Sequence, residues 1–286
     1  MATVAELLAL RQQLLAVSDT AALDIELLLC HCLQKSRTYL RTWSDADVAE
    51  NSEKQFRQLF TRRLQGEPIA HLIGERGFWT LDLQVNATTL IPRPETELLV
   101  EKTLQLLADN SHAQVLDLGT GTGAIALALA SERPGWKISA CDVQSAAVNL
   151  AETNRQHNQL DNVSIFQSNW FDQVQANQFN VIVSNPPYID INDDNLQRGD
   201  VRFEPLTALV ADNNGLADLE HIVEQAPRFL AAQGWLLLEH GYQQGEAVRN
   251  ILSARGFTAV FTDNDLAGLE RISGGQWLGI PSGETP

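Results

Sequence analysis

Two short strings hold residue types that can do chemistry. The first is Asp117-Leu118-Gly119-Thr120-Gly121-Thr122-Gly123, and the second is Asn185-Pro186-Pro187-Tyr188. Glycines between a strand and a helix let backbone N–H groups approach a ligand closely, with the helix N-terminus behind them. Gly119, Gly121 and Ala124 also satisfy the dinucleotide spacing in which alanine replaces the last glycine. A glycine turn with no ligand uses the same residues. Asp117 narrows the choice. A carboxylate two residues before the first glycine can hold an ammonium group, directly or through water, and is poorly placed beside an anionic pyrophosphate. Asp142 ends the next apolar segment, 23 residues after Gly119. An acidic residue about 20 residues on accepts the hydroxyl hydrogens of a ribose. The same carboxylate can instead cap a helix starting at Gln144 or Ser145.

The second string fits a planar NH2 group. The lone pair of a carboxamide or exocyclic amino nitrogen is delocalised, so that nitrogen is a poor nucleophile. The Asn185 side-chain oxygen and the Pro186 carbonyl can accept its two hydrogens and aim it. Pro186 and Pro187 fix the backbone that presents those carbonyls, and the Tyr188 ring offers a flat apolar surface. Positioning of this kind supplies at most about 7–11 kcal/mol. Asn-Pro also initiates ordinary turns, but here it follows the apolar run Val181-Ile182-Val183, 62 residues after Gly123. An ammonium site, a ribose site and a planar-amine site together suit S-adenosylmethionine as methyl donor, with S-adenosylhomocysteine as product. No metal is required, because the positive sulfur is already a good leaving group.

These residues need elements to hold them. From residue 114 the chain alternates strands and helices. QVLDLG, KISACD, NVSIFQS, FNVIVSN, WLLLEH, FTAVFTD and ERISGGQW read as strands. AIALALASE, SAAVNLAETNRQHN, a segment near 215–230 and GEAVRNILSAR read as helices. A polar loop covers roughly 188–213. The pattern predicts an α/β fold with a seven-stranded, mostly parallel sheet and an antiparallel final strand. Pro94 opens a further helix, with Glu95 and Glu97 at its positive end and Leu98, Leu99, Val100, Leu104 and Leu107 along it. Residues 77–92, with Phe78, Leu81, Leu83, Val85 and Leu90, suggest a hairpin linker.

The first 76 residues read as a helical domain. Val4, Leu7, Leu8, Leu14 and Leu15 share one face at the 3.6 period. A second helix, capped by Asp19 or Thr20, runs through Leu23, Leu27, Leu28 and Cys30. A polar third helix spans about Ser52 to Gln65 and stops at Gly66 and Pro68. The expected division is therefore 1–76, 77–92 and 93–286.

Charge limits the partners. The net charge is −16, with −1 in residues 1–80 and −15 in residues 81–286. Binding to nucleic acid rests on Lys and Arg neutralising phosphates, so a DNA or RNA acceptor is disfavoured. Arg57, Arg62 and Arg63 make a basic helix that is either a solvated face or a contact for an acidic or RNA-like surface. No apolar run is long enough to span a membrane. The N-terminus lacks a basic lead and a cleavage-type ending, and three cysteines fit a reducing, cytoplasmic setting. Cys30-His31-Cys32 looks like a metal seed but lacks a second ligand pair. His71 reads as structural.

Taken together, the two strings and Asp142 resemble the class I (Rossmann-like), S-adenosylmethionine-dependent methyltransferases that act on planar amino groups. Three further strings, GEPIAHLIG (66–74), LIPRPETE (90–97) and GDVRFEPL (199–206), resemble the bacterial release factor glutamine methyltransferase family. That resemblance runs from about residue 20 to about 276. It implies methylation of the glutamine N(5) in the GGQ motif of class-1 peptide chain release factors, which are the expected partners. It implies that the helical domain docks the release factor. It places the cofactor on Gly119–Gly123 and Asp142, with Trp170 at the adenine and Asn185 at the junction of cofactor and glutamine. Asn169 departs from the pattern, where an acidic residue often precedes the tryptophan. A ribosomal-protein glutamine, adenine N(6) or cytosine N(4) would use the same motif. Arg202 and Glu204 are expected to shape the glutamine entrance or to pair and order the loop. The chain also holds its own Gly274-Gly275-Gln276, expected to be a chance occurrence in a terminal strand.

Overall fold

A computed structural model describes residues 2–175 and 179–279. The chain divides into two compact units, Met1–Glu75 with Asp194–Phe203, and Arg76–Asp193 with Glu204–Pro286.

The first unit is helical. It contains α1 (Val4–Ala9), α2 (Ala21–Leu33), α3 (Arg37–Thr42), α4 (Glu50–Leu64) and α5 (Ile69–Ile73). Thr3 and Glu6 form a capping box that starts α1. Its core gathers Val4, Leu7, Leu14, Ile25, Leu28, Leu29, Phe56 and Phe60. Two expected faces are corrected. Leu15 is exposed, because α1 tightens into a 3-10 turn at Leu10–Leu14 and the helical period breaks. On α2 the buried side is Ala21, Asp24, Ile25, Leu28, Leu29 and Cys32, while Leu23 faces water.

Burial of Asp24 has an electrostatic reason. The Arg63 guanidinium donates to Asp24 at 2.7 Å, and both side chains are almost wholly buried. Arg63 also donates to the carbonyls of Gly66 and Glu67 just beyond α4. Arg57 pairs with Glu53 and Arg62 with Glu67. Arg63 is thus turned into the core, while Arg57 and Arg62 stay half exposed, each beside a carboxylate of its own unit. Arg202 donates to the Gln65 carbonyl, and its guanidinium fills the space where a side chain on Gly66 would lie.

The second unit begins with the rest of a small hairpin, β1 (Glu75–Phe78) and β2 (Leu81–Gln84). Val85 and Leu90, expected in that hairpin, instead lie in the following loop. After a 3-10 turn at Pro94–Thr96 come α6 (Glu97–Leu106), β3 (Gln114–Leu118), α7 (Ala124–Glu132), β4 (Lys137–Asp142), α8 (Ser145–His157), β5 (Val163–Gln167) and β6 (Phe179–Ser184). Then follow α9 (Asp212–Gly215), α10 (Ala217–Gln225), β7 (Leu230–Glu239), α11 (Gly245–Arg255), β8 (Thr258–Asn264) and β9 (Glu270–Trp277).

The seven-stranded sheet has the order β5-β4-β3-β6-β7-β9-β8. β5 through β7 are parallel, and β9 runs antiparallel to both neighbours. Two apolar layers cover its faces, one around Leu127, Leu129 and Trp136, the other around Ile182, Leu219 and Leu252. Burial on both sides is why β3 and β6 read as continuous apolar runs. The chain winds outward from β3 through β4 to β5, then returns to place β6 on the other side of β3. That reversal opens a crevice beyond the carboxyl ends of β3, β4 and β6.

Candidate active site

The glycine loop, Asp142 and Asn185 meet in that crevice. Gly119 to Thr122 of the loop, with Asp142 and Asn185, border one cavity of 270 Å3, together with Thr89, Arg93, Thr96, Asn169, Trp170, Pro187 and Asp218, whereas Gly123 is not in its wall. Gly119, Gly121 and Gly123 all adopt positive φ, at 69°, 56° and 86°. At Gly123 a side chain would also press on Leu127 and Ala151, so α7 and α8 need glycine there.

The loop is not a row of free N–H donors. Thr120 N donates to the Cys141 carbonyl, Gly123 N to the Thr120 carbonyl, and Gly121 N to Asp142 Oδ2 at 3.0 Å. The expectation that these amides reach toward a ligand is corrected on this point. With three of them turned inward, the loop is a poor cradle for a pyrophosphate. Asp142 also accepts from Gln144 N at 2.9 Å through Oδ1, so it both turns the chain into α8 and pins the glycine loop. With the Val143 amide also pulling on the carboxylate, three of its roughly four acceptor sites are engaged and one is left for a hydroxyl. Burial raises its pKa, against the pull of the Gln144 and Gly121 amides.

Asp117 lies beneath the loop and is wholly buried. The Thr120 hydroxyl donates to its Oδ2 at 2.6 Å, while Oδ1 has no hydrogen-bond partner. Burial pushes its pKa up to about 7, with Thr120 and the Ala126 amide pulling the other way. A buried carboxylate oxygen without a partner is costly unless something positive or protic meets it. Thr89 Oγ1, in the cavity wall, is likewise buried without a partner. Of the two, Thr89 lines the cavity, and Asp117 is buried outside its wall.

Trp170 is held in the left-handed region at φ 47°, a conformation that costs a residue with a side chain about 1–3 kcal/mol. The surroundings hold it there. Its carbonyl accepts from Ser168 Oγ at 2.8 Å and Cys141 Sγ at 3.6 Å. Its ring lies under Gly119, 3.5 Å from where a Cβ would sit. The side chain of Trp170 hydrogen-bonds Asp218, whose pKa burial nevertheless raises.

At the other end, Asn185 Nδ2 is 3.2 Å from Thr96 Oγ1, and Thr96 Oγ1 is 2.7 Å from Glu239 Oε2. The Tyr188 hydroxyl donates to Glu239 Oε1 at 3.2 Å. Pro187 borders the cavity, whereas Pro186 and Tyr188 stand outside its wall. Tyr188 packs into the apolar layer beside β7, and burial, followed by the Glu239 charge, raises its pKa. Glu204 is buried, accepting from Arg93 at 2.6 Å and from Ile91 N at 3.2 Å, and so sets the cavity's arginine.

Two family models match the chain: a Methyltransferase small domain over residues 94–199 and a PrmC N-terminal domain over residues 6–74. The release factor glutamine methyltransferase of Pseudomonas aeruginosa is 54% identical over 94% of this chain and 97% of its own. That of Escherichia coli is 50% identical over 92% and 95%, and that of Shewanella oneidensis 50% over 94% and 93%. The chain belongs to the release factor glutamine methyltransferase family. Solved structures share the fold at low identity. A methyltransferase from Pyrococcus furiosus gives a TM-score of 0.52 at 19% identity, over 78% of this chain and 99% of that one. The hMettl16 catalytic domain, in complex with a MAT2A 3'UTR hairpin, gives 0.57 at 18%, over 73% and 79%. The chain is a methyltransferase with the expected α/β architecture.

Three side chains of this release factor glutamine methyltransferase family member escaped motif reading: Thr96, Asp218 and Glu239. Glu239 left a trace, as a lone carboxylate ending the apolar strand WLLLEH. Thr96 lies inside LIPRPETE, where its type alone marks no contact.

Proposed function

We propose that this enzyme transfers the methyl group of S-adenosylmethionine to the side-chain amide nitrogen of the GGQ glutamine in class-1 release factors, giving N(5)-methylglutamine and S-adenosylhomocysteine. One observation carries the reading: Asn185, the glycine loop and Asp142 converge on a single cavity in a chain half identical to enzymes named for this activity. The unpartnered Asp117 oxygen suits the cofactor's ammonium, Asp142 its ribose, and Trp170 with Asn169 and Asp218 its adenine.

When bound, S-adenosylmethionine supplies a methyl group on a positively charged sulfur. The chain's own task is placement. Asn185 Oδ1, at the cavity wall, accepts an N–H hydrogen of the acceptor, which holds the nitrogen toward the methyl and strips it of water; Pro186, buried outside that wall, sets the backbone that presents Asn185. Pro187 keeps that backbone rigid. Tyr188 acts from behind through its hydroxyl on Glu239. The helical unit is the docking surface for the release factor.

The test is direct. The protein is incubated with labelled S-adenosylmethionine and, separately, a release factor, its GGQ Gln→Ala variant, a ribosomal-protein fraction and a DNA duplex. Label is expected on the native release factor alone. Label on DNA, or equal label on both release-factor forms, refutes the proposal.

A further inference from the structure

We infer that Glu239 and Thr96 form a positioning relay that fixes which end of the Asn185 carboxamide faces the methyl acceptor. The inference rests on the acceptor reading above and concerns residues outside the motif itself.

The two ends of an asparagine amide are nearly equal in shape and opposite in chemistry. Only the oxygen can receive the hydrogens of a planar NH2. If the NH2 end of Asn185 faced the acceptor, two donors would oppose each other. Something must therefore choose the rotamer, and heavy-atom positions alone identify it. Thr96 Oγ1 lies between the Asn185 amide at 3.2 Å and Glu239 Oε2 at 2.7 Å. A hydroxyl has one hydrogen and two lone pairs. An ionised Glu239 has no hydrogen to give, so the Thr96 proton points at the carboxylate. Thr96 then offers only lone pairs to Asn185, which must answer with its NH2. The Asn185 oxygen is the end left for the cavity that Asn185 borders.

The relay is braced. Thr96 and Glu239 are 5% and 1% exposed, so water does not compete for their hydrogen bonds. The Tyr188 hydroxyl occupies the second carboxylate oxygen, which sets the plane of Glu239. Three elements converge to build it: the turn after Pro92, the loop after β6, and the end of β7. Protonating Glu239 reverses the chain of donors. The acid then donates to Thr96, Thr96 turns its hydrogen to Asn185, and the amide flips its NH2 toward the acceptor. Glu239 titrates among Thr96, Tyr188, Arg271 from β9 and Glu95 from the Pro94 turn, with Arg93 near Tyr188. Burial raises its pKa to about 7, while the Thr96 and Tyr188 hydroxyls and Arg271 oppose the rise.

The experiment compares Thr96→Val, Thr96→Ser and Glu239→Gln with the native enzyme across pH 6 to 9, at saturating S-adenosylmethionine with a release factor as acceptor. Native kcat should rise with pH through about 7. Thr96→Val should lower kcat about tenfold to a hundredfold, the effect of losing a buried hydrogen-bond partner, with cofactor affinity unchanged. Thr96→Ser keeps the hydroxyl and should recover most of that loss. Glu239→Gln should flatten the pH profile. The relay is overturned if Thr96→Val keeps native kcat, if Thr96→Ser is no better than Thr96→Val, or if Glu239→Gln retains the rise. Thermal melting identifies any variant that fails to fold, and the other two then decide. If the native enzyme methylates no release factor, the acceptor reading fails separately. The relay is then read from the Asn185 side-chain 15NH2 resonance. Its shift with pH must disappear in Glu239→Gln, and persistence there refutes the relay.

Discussion

Binding of S-adenosylmethionine at pH 6 should release nearly one proton, and Asp117 should be its source. The perturbation is the arrival of an ammonium group near a buried carboxylate whose Oδ1 has no partner. Burial holds the ligand-free pKa of Asp117 at about 7. At pH 6 the group is then about 90% protonated, and a nearby cation that drives its pKa well below 6 expels about 0.8–0.9 proton. The ligand's α-amino group, with an ordinary pKa of about 7.7–8.0, is already protonated at pH 6 and contributes almost nothing. At pH 8 the balance inverts. Asp117 has about 0.1 proton left to lose, while the amine takes up about half a proton on binding, so net uptake replaces release. Calorimetric titrations in two buffers of different ionisation enthalpy measure this number at each pH. Glu239 also titrates near 7, and the Asp117→Asn variant separates its share. That variant should bind more weakly and release almost nothing at pH 6. Heat independent of buffer in the native protein, or undiminished release in Asp117→Asn, would refute the pairing.

Three other outcomes follow from packing. Gly123→Ala should destabilise the protein in urea by about 1–2 kcal/mol from the left-handed backbone, plus about 1–3 kcal/mol from overpacking against Leu127 and Ala151. Arg63→Ala strands Asp24 in the helical core and should cost about 3–5 kcal/mol, whereas Arg57→Ala, at a half-exposed pair, should stay within about 1 kcal/mol in the same melt. The internal Gly274-Gly275-Gln276 should carry no methyl group after incubation with cofactor, as read by peptide mass spectrometry. Its glycines are locked in the β7–β9 ladder and the Gln276 amide donates to the Gln233 carbonyl. Methylation of Gln276 would contradict this placement.

The half of the chain that winds around β3 was the legible half. Ala124–Glu132 is legible to its ends, because a glycine loop starts it and its sides are buried in one apolar layer. Strand type was visible wherever a short apolar run lay between turn residues. The helical unit was harder. Leucines fall on several sides of α2, so periodicity could not tell exposed Leu23 from buried Leu28. It also could not foresee that the inward face holds Asp24, whose partner lies 39 residues away. At the site, the motifs supplied Gly119, Gly121, Asp142, Asn185 and Pro187, which border the cavity, along with Asp117, Gly123, Pro186 and Tyr188, which are not in its wall. They did not supply the residues that hold those residues. Thr96 and Glu239 stand 143 apart in sequence, and neither spacing nor type marks their contact. The inward turn of the loop amides was also hidden, since a glycine string is the same whether its N–H groups face a ligand or their own backbone.

That inward turn bears on which molecules the cavity can admit. A loop with free amides and a helix N-terminus would favour an anion. Here Gly121 N is spent on Asp142, and the cavity wall presents the carboxylates of Asp142 and Asp218 with Asp117 just beneath. Arg93 is the one basic side chain among the described residues that line it, and Glu204 already binds its guanidinium. Such a wall attracts a ligand carrying a sulfonium and an ammonium. It repels an acceptor whose every repeat carries a phosphate. The planar-amine motif is indifferent between a glutamine and a nucleobase, and the shared fold is equally indifferent. The field around the motif is not, and it is the local counterpart of the excess of acidic residues carried by the second half of the sequence. An uncharged glutamine side chain enters this field at no electrostatic cost.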